Sequence, residues 1–312
     1  MGRFLKRGGV FLAATTMLYV AAMALMVHVP VLGEPAIYRA NDYFIRPGGS
    51  TWTRYREFDP KGRYDAVIIG SSHAYLGYDP YVVAERGYRA FNLGSDAQSP
   101  LCTYWLVKAY LDSVNTPLLI MDLFDEILQG EALEGASDLI QNQPSDAAAA
   151  GIAWSLHDLR GMNMLALRLL ARPERPLYGS PLYKGLGFCT TGDSIKTEAG
   201  PPPADPMPLR ADQKHFTEQI IRLCSERGIK LVLSSHFERR DKRGRAHEGM
   251  LRYLPKALAG SGIPYLDFTN APGIDDRNWF EDNNHLNATG ARIFTEQLVD
   301  TLEALGYLHS LK

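Results

Sequence analysis

The sequence predicts an α/β protein, a three-layer sandwich around about five parallel strands, and three observations predict it. Short apolar runs without polar alternation recur along the chain, the pattern of strands covered on both faces. Helix-length segments separate them, so successive runs are joined by crossovers of the kind parallel strands require. Glycines close two of those segments where a helix ends in the left-handed conformation.

In order, the runs are Ala66-Val-Ile-Ile-Gly70, Arg89-Ala-Phe-Asn-Leu93, Pro117-Leu-Leu-Ile-Met-Asp122, Ile229-Lys-Leu-Val-Leu-Ser234 and Ile263-Pro-Tyr-Leu-Asp267. Helices are expected over 101–113, over 212–227 before Gly228, over 248–258, and over 288–305 before Gly306. The interval 128–208 breaks this rhythm with an Ala-rich helical stretch, 145–171, and Pro/Gly-rich sequence ending in Pro201-Pro-Pro. A structureless loop of that length is uncommon in a compact domain, so the interval reads as a helical insertion. It should cap the carboxyl edge of the sheet, where open α/β sheets bind substrates. The sequence contains no internal repeat.

The chain has 312 residues, is 46% hydrophobic and carries a net charge of -2. That is apolar material for one sizeable core or two, and it excludes disordered and fibrous classes. A near-neutral balance, with no basic cluster interleaved with aromatic residues, excludes nucleic acid as a partner. Cys102, Cys189 and Cys224 have neither paired metal-ligand spacing nor an even count. Neither a zinc site nor a disulfide framework is expected, although one isolated bridge stays open. No cofactor and no metal are predicted.

At the amino end, Arg3, Lys6 and Arg7 precede an uncharged stretch, 9–33. It exceeds the roughly 20 residues that cross hydrocarbon as a helix. Basic residues before it, with Glu34 and Asp42 after it, place 1–8 in the cytoplasm and the remainder in the periplasm or outside the cell. The rival is a cleaved signal peptide with Val31 and Gly33 near the cut, but the apolar region is longer than the usual signal core. A buried core helix fits less well, because the segment is apolar all round. Residues 9–33 are read as a retained anchor in the inner or plasma membrane. Residues 34–63, with scattered Pro, Gly, Arg and aromatics, read as a juxtamembrane connector on the surface of a 64–312 domain.

The chemistry lies at the two ends of that domain. The first apolar run delivers Ser71-Ser72-His73, and Glu281-Asp-Asn-Asn-His-Leu-Asn carries Asp282 and His285 three residues apart. A serine hydroxyl needs a neutral imidazole to take its proton and a carboxylate to fix the imidazole tautomer. Side chains three apart nearly superpose on a helical turn, so Asp282 and His285 can face one side. Ser72 directly follows a strand and opens the next helix, which places its oxygen at the carboxyl edge near a helix N-terminus. The plainer reading is that Ser71 or Ser72 merely caps that helix. Gly70-Ser-Ser-His-Ala74 also approaches the Gly-x-Ser-x-Gly elbow, but it lacks the second glycine and follows the first strand rather than a later one.

These residues resemble the SGNH, or GDSL-like, hydrolase superfamily, with Gly70-Ser71-Ser72 where that family has Gly-Asp-Ser and Asp282/His285 as its C-terminal Asp-x-x-His. The resemblance implies a flavodoxin-like fold and a Ser72, His285, Asp282 triad. Phe91-Asn92-Leu93-Gly94-Ser95-Asp96-Ala97 looks like the second block, whose backbone N–H contributes to the oxyanion hole. Oxyanion donors are therefore expected at Ser72 and Gly94, with the residue matching the usual glycine at Asp96 or Ala97. An ordinary strand-ending turn would explain Asn92-Leu-Gly equally. The third block departs: Leu123-Phe124-Asp125 stands where the family commonly has Gly-x-Asn-Asp, so its side-chain donor is absent or supplied elsewhere. Losing one such donor costs about two to three orders of magnitude in turnover. Asn283, Asn287 and His73 are the replacements on offer.

Other residues have bland explanations. His73 and His236 read as hydrogen-bonded structural histidines, and Glu238-Arg-Arg-Asp-Lys-Arg243 reads as a solvated loop. Among Trp105, Trp154 and Trp279, only Trp279 is near enough to Asp282 in sequence to face a sugar.

The departure, the anchor and the insertion together are similar to membrane-anchored SGNH proteins of cell-envelope modification, of DltD-like or AlgJ/AlgX-like type. That resemblance implies an extracytoplasmic O-acyltransferase or carboxylester hydrolase. Its partners would be an acylated donor, a polysaccharide or other ester substrate, and a membrane-bound O-acyltransferase. The alternative is a catalytically weak binding or scaffolding subunit of the same machinery.

Overall fold

The structure, a computed structural model, describes residues 1–171, 181–195, 197–201, 208–242 and 247–309. Helix α1 (Gly2–His28) is exposed along nearly its whole length, and Met23 is its one buried residue. It is long and apolar enough to cross a membrane, a test that a signal sequence also passes. It stops at Val29, which is extended, as the residue before a proline prefers to be. The helix thus begins inside the basic end, and the last residues of the 9–33 stretch turn instead into a hairpin of β1 (Pro30–Val31) and β2 (Glu34–Pro35).

After α2 (Ile37–Ala40) comes α3 (Gly49–Glu57), and here the expected surface connector is overturned. Thr51, Trp52, Thr53, Arg54 and Tyr55 are all buried. Arg54 donates from Nε to the Gly187 carbonyl at 2.9 Å, Tyr55 from its hydroxyl to the Leu93 carbonyl at 3.0 Å, and Thr51 to Asp138 at 2.6 Å. Polar side chains that look solvated along the sequence find partners far away in the chain, which is what allows them to be buried, although Arg54 Nη1 itself has no hydrogen-bond partner among the described residues.

The domain then follows the predicted rhythm: β3 (Ala66–Ile69), α4 (Ser72–Gly77), α5 (Pro80–Glu85), β4 (Ala90–Asn92), α6 (Pro100–Tyr110) and β5 (Leu118–Asp122). After α7 (Asp125–Gln129), which starts ahead of the 128–208 interval, the insertion contributes α8 (Leu133–Asn142), α9 (Asp146–Ser155), α10 (Leu159–Leu170) and a hairpin of β6 (Tyr183–Gly185) and β7 (Phe188–Cys189). Its Ala-rich part is two helices rather than one. His157 is left-handed at φ 51°, and Asp158 caps the second helix by accepting the Arg160 N–H at 2.8 Å. Pro202 and Pro203 of the triple proline lie outside the described residues. The chain closes with α11 (Ala211–Arg227), β8 (Lys230–Ser235), α12 (Glu248–Ala257), β9 (Tyr265–Asp267) and α13 (Ala288–Ala304). Gly228 and Gly306 take the left-handed terminal conformations, at φ 67° and 72°.

Five parallel strands pair in the order β4-β3-β5-β8-β9. Alternate residues serve opposite faces, as the strand period dictates. Val67, Ile69, Leu119, Met121, Leu231 and Leu233 join a core with residues of α6, α11 and α12. Ala66, Ile68, Leu118, Ile120 and Val232 join a second core with α4, α5 and α13. Three layers result. The order reverses at β3, so the crevice between the carboxyl ends of β3 and β5 is where this topology places a ligand.

Candidate active site

The strand-to-helix turn after β3 sorts the two serines. Ser71 is the N-cap of α4, and its Oγ accepts the His73 N–H at 3.2 Å. Ser72 is the first helical residue, and its hydroxyl is left to reach elsewhere. Gly70 makes the turn: at φ 158°, a Cβ there would stand 2.7 Å from the Asp122 Cβ.

From the far end of the domain, the segment before α13 supplies the partners. His285 Nε2 lies 2.8 Å from Ser72 Oγ, and His285 Nδ1 lies 2.8 Å from Asp282 Oδ2. Asp282 Oδ1 accepts the backbone N–H groups of Asn284 and His285 at 2.7 and 2.8 Å. Burial pushes Asp282 upward, but the His285 hydrogen bond and those N–H groups outweigh it and hold the carboxyl below its ordinary range. With Asp282 ionised, Nδ1–H donates to it and Nε2 is left to accept the Ser72 proton. The structure therefore brings Ser72, His285 and Asp282 into one hydrogen-bonded chain.

Arg239 braces this segment. Almost fully buried, it donates to Asn283 Oδ1 at 2.7 Å and to the Thr197 carbonyl at 3.2 Å. That corrects the solvated reading of 238–243: Arg239 points inward, and burial raises Glu238 to about 7. Arg243 lies outside the described residues. Trp279 stacks on Phe237 in the second core, with ring centroids 5.6 Å apart, and does not line the cleft. The three cysteines are buried and free.

The cleft beside Ser72 holds about 430 Å³. Ser72, His73, His285, Asp96 and Ala97 line it, and α7, the turn after it and α8 add Glu126, Glu131 and Glu134. Gly94 is corrected as a donor, because its N–H is taken by Asn92 Oδ1 at 3.0 Å. The role of Gly94 is close approach: a Cβ there would lie 2.9 Å from the Ser71 carbonyl and 3.0 Å from the Tyr75 nitrogen. Ala97, at φ 43°, has the backbone that usually favours glycine. Ser72, Asp96 and Ala97 are thus the predicted oxyanion residues that border the cleft. Of the replacements for the third block, Asn283 is held by Arg239, and Asn287 caps α13 while donating to the Asp193 and Asn278 carbonyls. His73 alone borders the cleft.

Glu281, Asp282 and His285 place metal-type donor atoms within 4.8 Å of one another. Both ring nitrogens of His285 are already engaged, so a cation there would have to break the chain to Ser72 or to Asp282.

No family model matches the chain, and no curated protein does. Solved structures do. A GDSL-like lipase from Bacteroides thetaiotaomicron is 10% identical, with a TM-score of 0.37 over 77% of this chain and 88% of that one. A GDSL-like lipase from Parabacteroides merdae is 13% identical, with a TM-score of 0.40 over 79% and 98%. A family two carbohydrate esterase from Clostridium thermocellum, in complex with cellohexaose, is 8% identical, with a TM-score of 0.39 over 79% and 66%. The α/β architecture itself rests on the strand order and layer packing given above.

Proposed function

We propose that this chain is an SGNH-type serine O-acyltransferase or carboxylester hydrolase, anchored by its first helix and facing the periplasm or the outside of the cell. The observation that carries the reading is the chain Ser72 Oγ, His285, Asp282, with both links at 2.8 Å. In the first step the Ser72 Oγ–carbon bond forms, the carbonyl π pair moves onto oxygen, and the Oγ proton passes to His285 Nε2. Collapse breaks the bond to the leaving alcohol, which takes the proton from His285 and leaves acyl-Ser72. Water or a sugar hydroxyl then reverses the sequence. The backbone N–H groups of Ser72 and of the 96–97 turn are the candidate oxyanion donors.

The acceptor is proposed to be cell-envelope or exported polysaccharide, with a membrane-bound O-acyltransferase supplying the acyl donor. Carboxylates of Asp96, Glu126, Glu131 and Glu134 along the cleft favour a neutral or cationic glycan over a polyanion. The apolar α1, with Arg3, Lys6 and Arg7 in its first turns, supports the membrane placement. The scaffold reading draws on the missing third-block asparagine.

A fluorophosphonate probe on the detergent-solubilised full-length protein tests the reading. Covalent labelling that disappears in Ser72→Ala is expected, whereas wild-type protein that takes no label and cleaves no acetyl ester favours the scaffold.

A further inference from the structure

Beside the Ser72 chain runs a second, buried chain of hydrogen bonds that the acyl-transfer steps above leave unused. Asp122 ends β5, is 2% exposed, and accepts at Oδ1 from the Tyr78 hydroxyl at 2.7 Å and from His236 Nδ1 at 2.8 Å. His236, 1% exposed, turns Nε2 to His73 Nδ1 at 2.5 Å. His73 is the residue after Ser72; its ring centroid lies 4.9 Å from that of His285, and it borders the cleft.

The carboxylate decides where the protons sit. An ionised Asp122 only accepts, so His236 holds a proton on Nδ1. The two facing imidazole nitrogens then share one proton, since two lone pairs cannot bond. When the pair is neutral, His73 Nδ1 donates and its Nε2 offers the cleft only a lone pair. When the pair holds one more proton, His236 is the cation beside Asp122 and donates to His73 Nδ1. The His73 proton then sits on Nε2, which becomes an N–H donor.

The surroundings favour the second state. Burial, then the neighbouring His236 and His285, hold His73 well below its ordinary pKa. Burial also opposes a charge on His236, but Asp122 overrides it and raises that residue. Facing the pair are Asp122 at the end of β5, itself bonded by Tyr78 from the end of α4, His285 from the segment before α13 and Phe124, whose ring centroid is 4.3 Å from that of His73. Glu126, Glu238 and Lys242 act on it from farther off. The cleft meanwhile needs a side-chain donor, with Phe124 in the third block and both candidate asparagines engaged elsewhere.

We propose that His73 Nε2–H, held in that tautomer by His236 and Asp122, donates to the oxyanion formed when Ser72 attacks, a role that rests on the acyl-transfer reading. His73 is then a catalytic residue, and His236 and Asp122 are positioning residues.

The test is the rate of fluorophosphonate labelling of the full-length protein, because the phosphoryl oxygen of the adduct sits where the oxyanion forms. His73→Leu, which fills the space without an N–H, slows labelling about 10²- to 10³-fold, and His73→Gln, which keeps an N–H, loses less. For His236→Gln the readout is the pH profile. Wild-type labelling declines at high pH as the pair loses its additional proton and returns to the neutral form, in which His73 Nδ1 donates; the variant, whose amide donates at every pH, lacks that decline. His73→Leu labelling at the wild-type rate, equal losses in Leu and Gln, or an alkaline decline that survives in His236→Gln overturns the proposal. Should His73→Leu not fold, the His236→Gln profile decides alone. A wild-type Ser72 that takes no label fells the acyl-transfer reading itself, and the His73 role with it.

Discussion

Gly135 packs directly on the carbonyl of Ala97: a Cβ at Gly135 would stand 2.3 Å from that oxygen. The insertion therefore does more than roof the cleft, since α8 fixes the 96–97 turn at its edge. Gly135→Ala must push that turn, at about 1–3 kcal/mol for overpacking. A shift of about 1 Å in a reacting geometry can cost about 10²-fold in rate, so labelling of Ser72 should slow by one to two orders of magnitude. Labelling at the wild-type rate, with an unchanged melting temperature, would uncouple the insertion from the site.

Asp282→Asn keeps the shape of the segment but presents an amide to His285 Nδ1, which favours the wrong tautomer. By analogy with serine proteases, acylation should drop by up to about 10⁴-fold. The effect on stability is small, because the Asp282 side chain is 53% exposed. Its sign is still fixed. The folded state lowers this pKa, so the contribution is present above the ordinary carboxylate value of about 4 and is lost as pH falls through the lowered value. Melting curves of variant and wild type should converge at acid pH; a gap that widens there would contradict the assignment.

His247 is the clearest alkaline switch in stability. It bonds to Asp125 at 2.6 Å and to Asp267 at 3.2 Å. Burial would push this imidazole down, but the two carboxylates carry it up to about 10. A raised pKa stabilises fully below the ordinary histidine value of about 6.5, and the contribution fades as pH climbs to the folded value. His247→Gln should therefore melt lower than wild type near pH 6, with the gap closing towards pH 10. A gap constant across that window would mean that the ion pairs do not form.

If α1 is a retained anchor, the protein from native membranes survives an alkaline carbonate wash and its intact mass includes residues 1–28. A mature form beginning near Gly33 would instead mark the helix as a cleaved signal.

How much of this was legible along the chain follows from the range of the forces involved. The β3 and β5 runs announce themselves because strands covered on both faces need apolar residues throughout, and Gly228 does so because a helix end wants a left-handed residue. Asp282 and His285 are legible as a pair because three residues of spacing fix their relation locally. α3 was not legible: Arg54 and Thr51 lie in polar sequence, and only their distant partners, Gly187 and Asp138, make them interior. The Gly94 donor was misjudged for a different reason: the Asn92 side chain claims the N–H two residues on, a local Asx turn that competes with any other acceptor.

By itself, then, the sequence determined the layered α/β class, the apolar amino-terminal helix and the residue types capable of acyl chemistry, because periodicity and short spacing are properties of neighbours. Tertiary structure alone decided that Ser71 caps while Ser72 faces His285, that Arg239 turns inward, and that Asp122 and His236 stand behind His73. Apart from the local Ser71 cap, each of those outcomes is a choice of hydrogen-bond partner between groups far apart in the chain, and a buried polar group takes whichever partner the packed sheet and helices bring within reach.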